Sequence, residues 1–350
     1  FCVKNSSYKG DIVKEVSDEC HKQGMDFGVY LSPWDMHDER YGTDAYNDYF
    51  CNQLTELLTN YGEIFEVWFD GAKGSNAKKF EYDWQRYYDL IRKLQPKANI
   101  AICGPDIRWV GNEGGKSRKS EYSVVPCALR EADRIMALSQ QDENQASSLQ
   151  KYNQMDEDLG SRKILEKNAY ICWFPAEVDV SIRKGWFFHE KDNRNSKSAK
   201  KLFKIYLNSV GNNCTLLLNI PPTPQGEIHK KDAKNLKKLG SMIKNITANP
   251  IVYNELGELT KDNGVLDFDF NDTRKVKYVV LQEDITKSQR VELFDLYIKK
   301  ANGKYKRVYK GTVIGSKKII NLKGKKAKGI RFVIRQSRSN PVIKSIGIYE

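Results

Sequence analysis

Apolar residues along the first 250 positions switch repeatedly between helical and extended spacing. Five segments carry one apolar face at helical spacing: 11–23, 44–61, 80–94, 197–210 and 232–246. Six short apolar runs predict strands: 26–31, 64–70, 99–103, 122–125, 169–174 and 214–220. Because helices and strands alternate with short connections, we expect parallel strands and right-handed crossovers. The pattern predicts an α/β fold, either a (βα)8-type TIM barrel whose N-terminal strands are missing before Phe1, or an open sheet.

The pattern changes after Leu256, where extended segments of period two replace the helices. These segments lie at 266–270, 276–282, 291–298, 305–312, 319–322 and 330–334. Short alternating strands separated by Gly, Asn and Asp predict a β-sandwich of about 90 residues. We therefore expect two domains, a partial catalytic (βα)-barrel over 1–247 and a C-terminal β-sandwich over 258–350.

Positive charge is concentrated in the second predicted domain. The 350-residue chain has a net charge of +13, and from Glu258 onward 22 Lys and Arg stand against 10 Asp and Glu. A basic surface of this kind fits anionic glycans or nucleic acid. No basic motif with interleaved aromatic residues accompanies it, so we favour a solvated lysine surface and expect no nucleic-acid partner.

Several other classes of function are not indicated by the sequence. No apolar run approaches the roughly 20 residues of a membrane helix. The seven cysteines contain no Cys-x-x-Cys pair, and no cluster of His, Asp or Glu has the spacing of metal ligands. We therefore expect no metal and no cofactor. Because the chain begins with Phe1 rather than Met, the absence of a signal peptide is uninformative.

The first candidate for chemistry stands at the end of the predicted strand 64–70. Asp70 closes the apolar run, and Gly71 allows the backbone to turn immediately after it. In a βα barrel, catalytic residues lie at this C-terminal end of the strands. Trp68 points to the same side as Asp70, and an aromatic face beside a carboxylate suits a site that cleaves sugars. The alternative is an Asp that only caps the following loop.

A second carboxylate lies in the loop after the predicted strand 99–103. It is Glu113, in the stretch Arg-Trp-Val-Gly-Asn-Glu-Gly-Gly. Two carboxylates at neighbouring strand ends suit glycoside hydrolysis, one as an ionised nucleophile and one as an acid kept protonated by apolar walls. The alternative is a surface residue of the loop, and Glu121 and Glu177 are competing acids.

Other candidate substrate-binding residues lie at or beyond the ends of predicted strands: Tyr30, Trp34, Trp68, Glu177 and Trp186. Tyrosine and tryptophan rings can stack on the apolar face of a sugar, with packing in the protein core as the alternative. For Glu177, the alternatives are a contact with the aglycone and an ion pair with Arg183.

A series of motifs runs in order through residues 3–245: VKNS at 3–6, YKGD at 8–11, GVYLSPWD at 28–35, WFDGA at 68–72, RWVGNE at 108–113, PAEVDVSIR at 175–183 and LLLNIPP at 216–222. Together they resemble the α-L-fucosidases of glycoside hydrolase family 29. The resemblance implies a retaining exo-glycosidase, with a (βα)-barrel followed by a β-sandwich. It also implies a fucosylated oligosaccharide or glycoprotein glycan as substrate, and a secreted or periplasmic location.

The resemblance also implies roles for single residues. The nucleophile of the family's WFDG motif falls on Asp70, and the acid/base falls on Glu113. The RWVGNE form resembles the subfamily selective for α-1,3/1,4-linked fucose on branched glycans. The tail resembles the discoidin-like, galactose-binding-like module that often follows the barrel.

One family motif is missing from the chain. Family members carry His-His-Asp-Gly-Phe-Cys before this region, and its histidines hold the fucose hydroxyls, but here only Phe1-Cys2 matches its end. We therefore interpret the chain as a fragment of a larger fucosidase, with both catalytic carboxylates but little activity by itself. Two alternatives from other classes are a non-catalytic glycan-binding protein and a polyanion binder that acts through the basic tail.

Overall fold

The computed structural model describes residues 3–72, 78, 80–132, 135–136, 152, 154–260 and 264–350, so Phe1 and Cys2 lie outside the described residues. The chain forms two compact units. Unit 1 comprises residues 1–111 and 127–153, and unit 2 comprises residues 112–126 and 154–350. The division into domains 1–247 and 258–350 stays a prediction.

Unit 1 is built on a parallel sheet. Its described elements are α1 (Ile12–Lys22), β1 (Gly28–Leu31), α2 (Ala45–Thr59), β2 (Glu66–Phe69), α3 (Trp84–Leu94), β3 (Asn99–Ile102) and β4 (Arg108–Trp109), with 3-10 turns at Val3–Asn5 and Cys127–Arg130. Strands β1, β2 and β3 are parallel neighbours in that order, with one helix between each successive pair. The predicted alternation of helices and parallel strands is confirmed here.

Acidic side chains fix where two of these helices begin. Asp11 accepts the N–H of Lys14 at 3.0 Å at the start of α1, and Asp83 accepts the N–H of Arg86 at 3.2 Å at the start of α3. The predicted start of α3 at position 80 is therefore wrong by four residues, because the apolar pattern extends past the Asp83 cap.

The core of unit 1 lies between the sheet and its helices. Phe69 of β2 is fully buried, with its ring centroid 5.7 Å from that of Phe50 on α2 and 6.4 Å from that of Tyr87 on α3. Because side chains alternate along a strand, Trp68 points to the opposite face. The residue that follows the strand on that face is Asp70.

Unit 2 begins with short elements that pair in two ways. Its first elements are β5 (Val124–Pro126), α4 (Arg162–Leu165), β6 (Ile171–Trp173), β7 (Ala176–Ser181), α5 (Ala199–Ser209), β8 (Thr215–Asn219) and α6 (Lys230–Lys244), with a 3-10 turn at Glu190–Asp192. Strands β7 and β8 are parallel. Strands β5 and β6 pair antiparallel, so the expectation of parallel strands is wrong for the predicted segments 122–125 and 169–174.

The C-terminal part of unit 2 is an antiparallel sheet. Its strands are β9 (Pro250–Glu255), β10 (Val265–Glu283), β11 (Val291–Lys299), β12 (Tyr305–Gly311), β13 (Lys318–Ser337) and β14 (Ile343–Tyr349), with a 3-10 turn at Ile285–Lys287. Their order across the sheet is β12-β11-β13-β10-β14-β9. The predicted segments 266–270 and 276–282 are two parts of β10, and 319–322 and 330–334 are two parts of β13.

The two long strands bend, and the sheet closes over one core. Register shifts between β10 and β13 lie between Asp269 and Arg274 and between Val276 and Tyr278. Both halves of β10 contribute to the same apolar cluster, with Phe268 from the first half and Val279 from the second. This arrangement packs like a sandwich although its strands belong to a single hydrogen-bonded sheet.

Helix α5 covers part of the outer face of this sheet. Tyr278 and Val280 of β10 pack with Phe203 and Tyr206 of α5, while the alternate residue Val279 faces the inner core. Burial on both faces explains the continuous apolar run Tyr-Val-Val-Leu in β10. None of the helices that the structure describes is long and apolar enough to cross a bilayer.

Candidate active site

Asp70 follows β2 directly, and both oxygens of its carboxylate accept hydrogen bonds. Oδ1 accepts the N–H of Ala72 at 2.8 Å, and Oδ2 accepts the hydroxyl of Tyr30 at 2.5 Å. The first contact is an Asx turn, so Asp70 does cap the following loop. The second contact comes from a neighbouring strand. The carboxylate stays partly exposed, and two donors fix its orientation.

Tyr30 and Trp68 form an aromatic surface beside this carboxylate. The two residues are register partners on the parallel strands β1 and β2, and their rings stack with centroids 5.5 Å apart and planes at 23°. Tyr30 is 57% exposed, so core packing does not account for it. Desolvation of the hydroxyl and its hydrogen bond to Asp70 raise the pKa of Tyr30, which keeps the phenol a donor at neutral pH. Tyr30, Trp68 and Asp70 are called the Asp70 cluster below.

A second acidic residue, Glu66, lies on the same face of β2 as Trp68. Glu66 lies two residues before Trp68, and burial raises its pKa to about 7. Glu66 was not among the predicted site residues, although an acid inside an otherwise apolar strand was the available signal. A carboxyl group with this pKa changes its protonation state near neutral pH.

Trp34 lies in the loop after β1 and packs partly buried against the core of unit 1. The loop is held by its own hydrogen bonds. Ser32 Oγ donates to the carbonyl of Trp34 at 3.1 Å, and the Tyr46 hydroxyl donates to the carbonyl of Pro33 at 2.9 Å. These contacts fix the position of Trp34, and its role in sugar binding stays a prediction.

Glu113 is exposed and belongs to the 112–126 segment of unit 2. Asn112 shapes the loop, because its Oδ1 accepts the N–H of Gly114 at 3.1 Å and its Nδ2 donates to the carbonyl of Lys116 at 3.0 Å. Gly115 has a φ of +70°, and a Cβ added there would stand 3.1 Å from Ile205 of α5. Asp70 belongs to unit 1, so the pairing of the two carboxylates stays a prediction.

The two competing acids are both buried. Glu121 forms an ion pair with Arg118 at 2.5 Å and accepts its N–H at 2.8 Å. Glu177 is 1% exposed on β7. Arg183 forms its ion pair with Asp232 at 2.7 Å, so the alternative that Glu177 pairs with Arg183 is wrong. The contact between Glu177 and the aglycone stays a prediction.

Trp186 lies in the loop between β7 and α5, and it is partly exposed. Asn219, at the end of β8, donates to the carbonyl of Trp186 at 2.9 Å and to Ser181 Oγ at 3.0 Å. Arg183 donates to Asn193 Oδ1 at 2.9 Å, which fixes the far side of the loop. Asn219 belongs to the LLLNIPP motif but was not predicted to have a role, because its partner is 33 residues away in the sequence.

A family comparison identifies the kind of protein to which this site belongs. Residues 1–247 match the family model described as alpha-L-fucosidase. The chain belongs to the α-L-fucosidase family. The match covers the segments that carry Asp70, Glu113, Glu177 and Trp186.

Relatives of this family member occur in plants and bacteria. Alpha-L-fucosidase 1 of Arabidopsis thaliana is 33% identical, and the match covers 100% of this chain and 71% of that protein. A candidate α-L-fucosidase from Bacteroides ovatus is 44% identical with a TM-score of 0.89, over 99% of this chain and 59% of that chain. A glycoside hydrolase family 29 fucosidase from Ruminococcus gnavus, solved in complex with fucose, is 27% identical with a TM-score of 0.81, over 99% of this chain and 77% of that chain. This family member therefore spans less than two thirds of the length of the Bacteroides ovatus protein.

The predicted site residues of this α-L-fucosidase family member fall into two sets. The set in unit 1 is Tyr30, Trp34, Trp68 and Asp70. The set in unit 2 is Glu113, Glu177 and Trp186. Direct contacts join the three members of the Asp70 cluster. In the part of the chain that the structure describes, no group of three or more His, Cys, Asp or Glu could hold a metal ion.

Proposed function

We propose that this chain carries the catalytic carboxylates of a retaining exo-α-L-fucosidase that removes terminal L-fucose from glycans. The family match over residues 1–247 supports the reaction. The observation that carries the proposal is the Asp70 carboxylate, which Tyr30 and the Ala72 N–H orient beside the ring of Trp68. A partly exposed carboxylate held from two sides suits attack on a sugar carbon.

The proposed mechanism is a double displacement. One Asp70 oxygen attacks the anomeric carbon, the bond to the aglycone oxygen breaks, and Glu113 gives its proton to that oxygen. Glu113 then takes a proton from water, whose oxygen attacks the same carbon while the ester bond to Asp70 breaks. Two inversions restore the original anomeric configuration. Retaining glycosidases need the two carboxyl groups about 5–5.5 Å apart, which is the separation that this assignment requires.

The aromatic residues serve binding in this proposal. The stacked rings of Tyr30 and Trp68 offer an apolar surface to one face of the fucose ring, and Trp34 extends it. Trp186 forms a wall of the substrate site on the loop that Asn219 fixes. Glu177 contacts the aglycone.

The finer features of the proposal rest on the family resemblance. The RWVGNE motif at 108–113 supports α-1,3/1,4-linked fucose as the substrate linkage. The parallel pairings of β1, β2 and β3, and of β7 and β8, support a (βα)-barrel architecture. A secreted or periplasmic location fits an enzyme that acts on glycoprotein glycans or other fucosylated oligosaccharides.

Hydrolysis of an aryl α-L-fucoside tests the reaction, and proton NMR of the first-formed sugar tests retention. We expect α-L-fucose as the first product and a loss of kcat of at least about a thousandfold in Asp70→Asn. Asp284→Asn is the matched control, because Asp284 also follows a strand and caps a turn through the N–H of Thr286 at 3.1 Å. First-formed β-L-fucose would exclude the double displacement. Binding of fucosylated glycans without hydrolysis would support the two alternatives instead, an inactive fragment or a non-catalytic glycan-binding protein.

A further inference from the structure

The outer face of the C-terminal sheet carries a cavity that contains no residue of the Asp70 cluster. Three strands meet in register there: Val280 of β10 pairs with Gly347 of β14, and Gly347 pairs with Tyr253 of β9. The neighbouring row of the same face pairs Gln282 with Ser345. Because alternate residues of these strands face the inner core, these five positions share the outer face.

The cavity lies beyond the part of the sheet that helix α5 covers, at the position where β14 carries the glycine Gly347. Tyr206 and Leu207 of α5 pack on the cluster that contains Val280 and Tyr349. Beyond this contact, the face opens into a cavity of about 320 Å³ with Gly347 and Tyr349 in its lining. A Cβ added at Gly347 would stand 2.2 Å from the Tyr349 hydroxyl, so the packing of Tyr349 keeps position 347 without a side chain. The volume is at the lower end of the range of about 300–1,000 Å³ that is usual for small-ligand pockets.

The polar groups of the cavity are fixed but retain hydrogen-bonding capacity. Ser345 Oγ donates to Gln282 Oε1 at 3.2 Å, and Gln282 Nε2 donates to the carbonyl of Ser316 at 3.1 Å. The first contact uses one of the two lone pairs of Gln282 Oε1, and the second uses one of the two N–H groups of Gln282 Nε2. Gln282 therefore presents a spare donor and a spare acceptor side by side, and the hydroxyl of Ser345, a residue that is 3% exposed, retains an acceptor lone pair.

The rim of the cavity adds an aromatic surface and one cation. Tyr253 is 52% exposed, although its ring lies beside the cavity. Lys317 also lines the cavity. On β9, Glu255 is the register partner of Ser345, which places an acidic residue beside this row of the sheet. The acidic Glu255 near the basic Lys317 favours a neutral ligand over an anion.

We propose that this cavity binds one neutral pyranose unit of a glycan. The ring of Tyr253 packs against the C–H face of the sugar, and the Gln282 amide and Ser345 hydroxyl exchange hydrogen bonds with neighbouring sugar hydroxyls. Lys317 donates a further hydrogen bond. A second sugar site on the C-terminal sheet would hold a branched glycan at a point other than the bond that is cleaved, whether or not the chain is catalytic.

Titration of the full chain with the neutral sugars D-galactose, D-glucose, N-acetyl-D-glucosamine and L-fucose, and with D-glucuronate as the anionic comparison, tests the proposal through amide chemical shifts. We expect millimolar binding of at least one of these sugars, with shifts at Gly347 and Tyr253. Tyr253→Ala and Gln282→Ala should each weaken it at least about fivefold, which is the scale of one stacking or hydrogen-bond contact. Tyr170→Ala is the matched control, because Tyr170 is a 79% exposed tyrosine of the same unit and does not line the cavity.

Three outcomes would overturn the proposal. The first is the absence of shifts at Gly347 and Tyr253 with every sugar at concentrations up to about 10 mM. The second is binding that Tyr253→Ala and Gln282→Ala leave unchanged, and the third is binding of D-glucuronate in place of the neutral sugars. Hydrolysis of an aryl fucoside by Tyr253→Ala reports on the Asp70 cluster separately, so the two proposals fail independently.

Discussion

The buried ion pair between Arg183 and Asp232 makes a quantitative prediction about stability. Arg183 Nε donates to Asp232 Oδ2 at 2.7 Å, and both side chains are 0% exposed. Ser196 Oγ donates to the other oxygen of Asp232 at 2.5 Å. Replacing Asp232 with Ala removes both contacts and leaves a guanidinium without its counter-charge in a site closed to water.

The expected loss follows from this burial. Breaking a buried ion pair by removing one partner lowers the free energy of unfolding by about 3–5 kcal/mol. With a urea dependence of about 3 kcal/mol per M, the urea midpoint of Asp232→Ala should fall by about 1–1.7 M. Asp18→Ala is the control, because Asp18 pairs with Lys14 at 2.9 Å while the side chains are 61% and 58% exposed. Its midpoint should move by about 0.2 M or less.

Urea denaturation followed by tryptophan fluorescence measures both variants. A shift in Asp232→Ala as small as that in Asp18→Ala would refute the reasoning, since it would mean that water reaches Arg183. The double variant Arg183→Met with Asp232→Leu should recover most of the loss, because a buried pair exchanged for apolar side chains is often neutral or stabilising. A double variant no more stable than Asp232→Ala would assign the loss to packing rather than to charge.

Three further predictions concern the site. Because burial raises the pKa of Glu66 from 4.5 to about 7, the folded protein should lose up to about 3 kcal/mol of unfolding free energy as the pH rises from 4.5 to about 7. Glu66→Gln should lack this loss. Urea midpoints below about pH 5 and above about pH 8 would measure it in both proteins. Trp186→Ala should raise KM for an aryl fucoside about 3- to 10-fold, while the exposed neighbour Phe187→Ala should leave it unchanged; equal effects would remove Trp186 from the substrate wall. Glu113→Gln should slow the first step, formation of the ester on Asp70, about 10²- to 10⁴-fold with an alkyl fucoside but spare it with an activated aryl fucoside, as the burst of released phenol would show. Equal losses of this first step on both substrates would contradict the role of Glu113 as the acid.

The parallel strands of unit 1 were predictable because the signal is local. Short apolar runs that end at Leu31, Asp70 and Cys103, with amphipathic helices between them, admit few arrangements. Strand β7 was not predicted, because Glu177 and Asp179 interrupt its apolar pattern although both are buried. A period-two pattern indicates one buried face, whereas all six residues of β7 are buried.

The C-terminal sheet shows the same limit in another form. The two apolar segments of β10 were predicted as separate strands, since residues 271–275 are polar. The strand continues through them because β13 supplies its partners, including Ala327 opposite Arg274. Strands β9 and β14 were missed, and they are the two that provide Tyr253 and Gly347 to the cavity.

The candidate site was predictable as a set of residues but not as a set of contacts. The position of Asp70 after a strand, beside Trp68, followed from alternation and from Gly71. The hydrogen bond from Tyr30 joins residues 40 positions apart and required the register of β1 and β2. The raised pKa of Glu66 is caused by burial of its carboxyl group, and the pattern of one strand does not predict how far that group is buried.

The central claim is that the Asp70 carboxylate forms a covalent ester with fucose. The most direct measurement is mass spectrometry of the protein after incubation with a 2-fluoro-fucoside that carries an activated leaving group, since the fluorine makes the ester long-lived. We expect one fluorofucosyl group on the peptide that contains Asp70, and no label in Asp70→Ala. Label on another carboxylate, such as Glu66, or label that persists in Asp70→Ala, would contradict it.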